Sequence, residues 1–175
     1  MNKIKKLSLI LLVVFFSSCN MKYELAFYFL RQGNIKQKKG DHEGAIKEYN
    51  RAEYFEPWSM FVYESRGYSK FKIKDYEGAM KDFDTAIDSS VMSPHVFHYR
   101  AELKTELKDY KGAMEDFSMS IKMYPDNPMS YYSRGNLKIR LGDEEGGLQD
   151  IEKGISLEPP KCTRDWDKWH RENKV

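Results

Sequence analysis

KDYEGAMKDF (residues 74–83) and KDYKGAMEDF (residues 108–117) differ at two of their ten positions and begin 34 residues apart. Extended both ways, the match yields four contiguous units: 26–59, 60–93, 94–127 and 128–161. Gly33, Gly67, Ala101 and Gly135 stand at the eighth position of successive units, and Ala45, Ala79, Ala113 and Gly147 at the twentieth. Two helices approach closely only where side chains are small, so these positions mark a recurring helix contact. Phe29, Tyr63, Phe97 and Tyr131 at the fourth position, with Tyr49, Phe83, Phe117 and Ile151 at the twenty-fourth, fill the space around it.

Punctuation sets the helix ends. Asp41, Asp75, Asp109 and Asp143 precede runs of helical apolar spacing, where a carboxylate caps free backbone N–H groups. Gly40 and Gly142 suit a left-handed helix end. Ser93-Pro94 and Asn127-Pro128 read as an N-cap followed by a proline at the first helical position, and Pro57, Pro125 and Pro159 close second helices. Each unit is therefore a helix, a tight turn and a helix. One such hairpin cannot bury its apolar face alone, which is why it is restated and stacked.

A 34-residue period with this pattern resembles the tetratricopeptide repeat over residues 26–161. The resemblance implies an all-α fold: an α-α superhelix (solenoid) of four helix hairpins. Residues 162–175, with Trp166 and Trp169 among charged residues, suit a short C-terminal capping helix or a tail. Where the family has Leu at the seventh position the chain has Gln32, Arg66, Arg100 and Arg134, and Lys36, Lys70, Lys104 and Lys138 replace its Tyr at the eleventh. Glu48, Asp82, Asp116 and Asp150 recur at the twenty-third. Ion pairs along the stack are expected, with spacing silent on whether they lie within a unit or between units. Exposed pairs would contribute only ~0.2–1 kcal/mol each, so their expected role is to fix register.

The first residues differ from everything that follows. Lys3, Lys5 and Lys6 form a basic start, Leu7 to Phe16 an apolar core, and Ser17 and Ser18 precede Cys19. The core is about half the ~20 residues a membrane-spanning helix needs. The pattern resembles the lipobox of bacterial lipoproteins, which implies a signal peptide at 1–18, cleavage before Cys19, lipidation of that thiol and a short tether at 19–25. It further implies a membrane-attached protein of a bacterial cell envelope. An ordinary signal peptide or an uncleaved anchor is the alternative.

Without residues 1–18 the chain loses three of its 29 basic side chains and no acids, so its 27 acidic residues slightly outnumber the rest. No basic excess remains to face phosphates, which argues against nucleic acid. Of the two cysteines, Cys162 has no intrachain partner once Cys19 is lipidated, so no disulfide framework arises. Phosphate loops, nucleophile elbows and paired-cysteine metal motifs are absent, and neither enzyme activity nor a cofactor is expected. His95, His98 and Glu102 share one helical face and form a weak divalent-metal candidate.

Two roles remain: a non-enzymatic module that binds a protein or peptide, or a structural, self-assembling envelope component. Lipoproteins that assist outer-membrane protein assembly or pilus secretin assembly are of the kind the chain resembles. In such proteins the first helices line a concave groove. Its positions fall here on Phe27, Arg31, Asn34, Phe61, Glu64, Tyr68, Phe71, His95, His98, Tyr99, Glu102, Tyr132, Asn136 and Arg140. Family members that bind chaperone C-termini clamp a terminal carboxylate with Lys, Asn and Arg. Only Asn34 matches here, with Leu30, Ser65, His95 and Tyr99 in the other places, so that specificity is not expected. Aromatic surface with charges of both signs suits an extended peptide or partner helix held by apolar anchors.

Overall fold

The computed structural model describes residues 3–89 and 93–158. Eight α-helices follow in order: α1 (Lys3–Lys38), α2 (His42–Phe55), α3 (Met60–Lys72), α4 (Tyr76–Ile87), α5 (Pro94–Glu106), α6 (Tyr110–Met123), α7 (Pro128–Arg140) and α8 (Glu144–Leu157). The described residues contain no strand. The described residues are thus all-α and form four helix hairpins of the α-α solenoid class. Cys162, Trp166 and Trp169 lie outside the described residues. The segment expected as a tether, residues 19–25, is helical and continuous with α1.

The hairpin turns repeat one design. Asp41, Asp75, Asp109 and Asp143 each accept a hydrogen bond on Oδ1 from the backbone N–H of the glycine three residues on, at 2.9–3.0 Å. A Cβ on Gly44, Gly78, Gly112 or Gly146 would fall within 2.4 Å of the capping carboxylate, so glycine there makes room for the cap. The fifteenth position of every unit is left-handed. Gly40 and Gly142 hold φ of 81° and 95°, while Lys74 and Lys108 take φ of 65° and 64° despite their Cβ atoms.

The fold divides into two compact units, Met1–Val96 and Phe97–Val175. In the first, Ala45, Tyr49, Ala52 and Val62 form a buried cluster with Phe29 and Leu30 packed against it. At the eighth position of the first two hairpins the packing leaves no room for a Cβ: one on Gly33 would come within 2.4 Å of the Tyr49 ring, and one on Gly67 within 2.7 Å of Phe83. The second unit is centred on Ala101, Ala113, Phe117 and Leu137. There Gly135 and Gly147 bring backbones together so closely that a Cβ on either would meet the other's carbonyl oxygen at 2.7 Å.

The expected ion pairs form, within hairpins, and burial distinguishes them from the exposed pairs foreseen. Arg66 grips Asp82 through Nε and Nη2, both at 2.8 Å. Arg100–Asp116 and Arg134–Asp150 repeat that fork. The lysine one turn further on completes each cluster, with Lys70–Asp82, Lys104–Asp116 and Lys138–Asp150 at 2.8–2.9 Å. Lys36 and Glu48 stand in the same places in the first hairpin, at 2.6 Å. All four acids are buried, since the second helix lays them against the first rather than toward water. Arg66 also reaches back one hairpin to Asn50 and Glu53, and Arg134 reaches back to Ser118.

Candidate binding site

In the first unit, α1, α3 and the loop between α2 and α3 enclose an open cavity of about 500 Å³. Phe27 and Leu30 from α1 face Met60 and Phe61 from α3, and Tyr23 and Trp58 close one end. Polar lining comes from Asn34, Ser59 and Ser65, and among the described residues Glu56 is the one charged side chain in it. Tyr49 Oη donates to Asn34 Oδ1 at 2.8 Å, which leaves the amide N–H groups of Asn34 for a ligand. Burial pushes the Tyr49 hydroxyl up to about 12, so it stays a donor at neutral pH. Gln37 holds the far wall, donating to the Ser65 carbonyl and the Ser69 hydroxyl at 2.9 Å.

Three of the expected groove residues, Phe27, Asn34 and Phe61, meet in this cavity. Phe27 and Phe61 are more than half exposed, so their rings are surface and not core. Arg31 is exposed on α1. Glu64 is half-buried on α3, and burial raises its carboxyl above the ordinary range although Ser93 and His95 act to lower it. Tyr68 meets His42 edge-on at 6.2 Å and Phe71 lies against Tyr76 at 6.1 Å, with Lys72 Nζ over both rings.

In the second unit the expected residues divide. His98 is buried and not on an open surface: its ring stands edge-on to Phe117, with Nδ1 3.1 Å from Ser130 Oγ and Nε2 3.5 Å from Glu102. Tyr99 packs edge-on against it at 5.7 Å. Tyr132 lies over Gly154 and donates to Glu158 at 2.8 Å. Arg140 stacks on Tyr110 and donates to its hydroxyl, and Asn136 is exposed. No group of three His, Cys, Asp or Glu side chains among the described residues is placed to hold a metal ion, and His95 is exposed on α5.

Sequence reasoning missed Trp58, Tyr23 and Met60. Trp58 sits in a loop, outside any helical period, and is 88% exposed. Its placement between Pro57 and Ser59, in a connection that must lie on the surface, was the available signal.

Comparison with known proteins agrees with this architecture. The family model described as tetratricopeptide repeat matches residues 28–57 and 130–161, within the first and fourth units. No curated protein sequence matches the chain. Among solved structures, MamA superposes with a TM-score of 0.68 at 17% identity, over 75% of this chain and 77% of its own. PilF of Pseudomonas aeruginosa gives 0.72 at 16%, over 78% of this chain and 62% of its own. The first repeat domain of Spaghetti (RPAP3), solved with the HSP90 peptide SRMEEVD, gives 0.65 at 18%, over 69% and 95%. At these identities the likeness is one of fold. The matched segments and the four hairpins together support a tetratricopeptide repeat array, a class that typically serves as a non-enzymatic interaction module.

Proposed function

We propose that this chain is a non-enzymatic binding module that takes a protein or peptide segment along α1 and α3, held in a bacterial cell envelope by lipid on Cys19. The observation that carries the reading is the cavity lined by Phe27, Leu30, Met60 and Phe61, in which the rings of Phe27 and Phe61 are left more than half exposed to water. Exposed apolar patches of this kind mark contact sites, and bulky anchors in a small pocket dominate binding energy. Asn34, Ser59 and Ser65 supply polar contacts that would orient the segment.

The chemistry argues for an apolar anchor over a carboxylate. Glu56 is the charged group in the lining, and it would repel an acidic end such as the EEVD of the peptide in the RPAP3 structure. The envelope reading rests on the signal-like residues 1–18 and Cys19. No helix among the described residues is long and apolar enough to cross a membrane. Capture of partners from native envelopes tests the function: Phe61→Ala, shown to melt like wild type, loses partners that a control such as Glu115→Ala retains. Equal capture by both variants would place binding elsewhere. Mass spectrometry of the N-terminal peptide tests the anchor, since a lipidated Cys19 carries the added acyl mass and Cys19→Ser does not.

A further inference from the structure

The ends of α2 and α3 that meet at residues 55–60 return to the upstream part of α1. Phe55 stacks on Phe29 at 5.8 Å, and Trp58 and Phe61 share a cavity with Tyr23 and Phe27. Among the described side chains of α1, Ala26 is the first that is buried and Met21 to Glu24 are all exposed, so from residue 26 back to 21 the helix leaves the packed body. Its upstream continuation carries Cys19 and, beyond it, the apolar run Leu7 to Phe16.

Around that exit stands a set of rings turned to water. Trp58 is 88% exposed, Tyr54 82%, Tyr23 57% and Tyr28 53%. Tyr28 and Tyr54 are joined through Phe29 and Phe55, each edge-on to its neighbour, and Tyr23 and Trp58 line the same cavity beside them. Tyr28 and Tyr54 are outside the cavity lining, so a segment bound in the cavity does not cover them, whereas a plane crossed by α1 does. Trp and Tyr, apolar in body with one polar handle, concentrate at the water interface of bilayers.

We propose that this end of the first unit rests on a phospholipid surface, with the rings of Tyr28, Tyr54 and Trp58 seated among the headgroups around α1. The proposal rests on the anchor reading above, because lipid on Cys19 would bring the surface to this end. At 1.5 Å per residue, position 19 of the helix lies about 6 Å along the axis from Tyr23 and about 14 Å from Tyr28, while the headgroup layer is ~5–8 Å deep, so long side chains reach it. Charge favours ring contact over attraction to anionic lipid. Lys22 and Arg51 at this end are matched by Glu24, Glu53 and Glu56, which leaves no basic excess.

The test uses the full chain processed in its own envelope, with Trp166→Phe and Trp169→Phe so that Trp58 is the remaining tryptophan. It is reconstituted into phosphatidylethanolamine–phosphatidylcholine vesicles with or without brominated acyl chains. The expected result is a blue-shifted Trp58 emission, quenched in the brominated vesicles and unchanged by added salt. Should the double variant melt early, fluorotryptophan in the unaltered chain, read by line broadening from a lipid-soluble spin label, gives the same information. Trp58 equally bright in both vesicles and open to aqueous acrylamide overturns the proposal. A blue-shifted but unquenched Trp58 also overturns it, since a protein is then the cover. Mass analysis of the same sample separates the two readings. An acylated Cys19 with unquenched Trp58 sinks the surface contact alone, an unmodified Cys19 with quenched Trp58 sinks the anchor alone, and unmodified with unquenched sinks both.

Discussion

Arg66 and Asp82 face each other across the second hairpin in a two-bond fork, 2.8 Å at each bond, with Arg66 6% and Asp82 2% exposed. Burial makes such a pair unequal to its parts. Removing one member strands a charge out of water, at a cost of ~3–5 kcal/mol, whereas an exposed pair is worth ~0.2–1. Asp82 also serves Lys70, so Asp82→Ala takes a buried carboxylate from two cations at once and leaves Arg66 only Glu53 and Asn50. Urea unfolding of Asp82→Ala is expected to show a loss several times that of an exposed control, and a loss below about 1 kcal/mol would contradict the assignment of these clusters as buried.

The same clusters set the acid response. Lys36, by its hydrogen bond, holds Glu48 below the ordinary 4.5, and Arg66 does so for Glu53. Burial works to raise Asp150, but bonds from Arg134 and Lys138 hold it below 3.8. A carboxyl depressed in the folded state contributes stability that is present above its unfolded value and is lost as pH falls through the folded one. Melting temperature is therefore expected to drop as pH is lowered from 4.5 downward, and Asp150→Asn is expected to shrink that drop while lowering stability at neutral pH.

Glu64 runs the other way. Burial raises its carboxyl, so the folded chain holds that proton more tightly than the unfolded one and loses stability as pH rises past the unfolded value. Glu64→Gln is expected to melt at or above the wild-type temperature at neutral pH. A clear loss at neutral pH would show that the bond to Ser93 outweighs desolvation.

Lys74 and Lys108 occupy left-handed turns that the equivalent Gly40 and Gly142 take without a Cβ. That conformation costs an ordinary residue roughly 1–2 kcal/mol. Glycine at these two sites is expected to stabilise the fold modestly, because part of the gain is offset by the greater freedom of the unfolded chain. Gly40→Ala is expected to destabilise. Thermal melts of the three variants should thus differ in sign.

Ala stands at the twentieth position in three hairpins, so Gly147→Ala looks conservative. In the fourth hairpin a Cβ there would meet the Gly135 carbonyl oxygen at 2.7 Å and Ile139 Cγ1 at 2.5 Å. Backbone cannot yield as a flexible side-chain end can, and overpacking costs ~1–3 kcal/mol. Calorimetry of Gly147→Ala is expected to show that loss.

The 34-residue period made the hairpins legible because each of its marks, Asp cap, small contact residue and facing ring, has one local cause. Asp75 and Gly78 could be read as a turn without knowing anything else about the chain. The burial of Asp82 could not, because spacing places it on a helix but not on the side that faces the partner helix. The burial of His98 was illegible for the same reason: its register fits a groove, yet it packs on Phe117 and meets Ser130. Trp58 escaped because a loop residue has no period, and only the return of α2 and α3 to α1 brings it beside Tyr23.

The central claim is that a partner segment docks between α1 and α3, and photocrosslinking in intact cells tests it most directly. A photoreactive phenylalanine analogue replaces Phe27, Phe61 or, as a control on α6, Glu115, in chains shown to melt normally. A discrete crosslinked partner is expected at Phe27 and Phe61 and none at Glu115. A partner captured at Glu115 but at neither phenylalanine would contradict it.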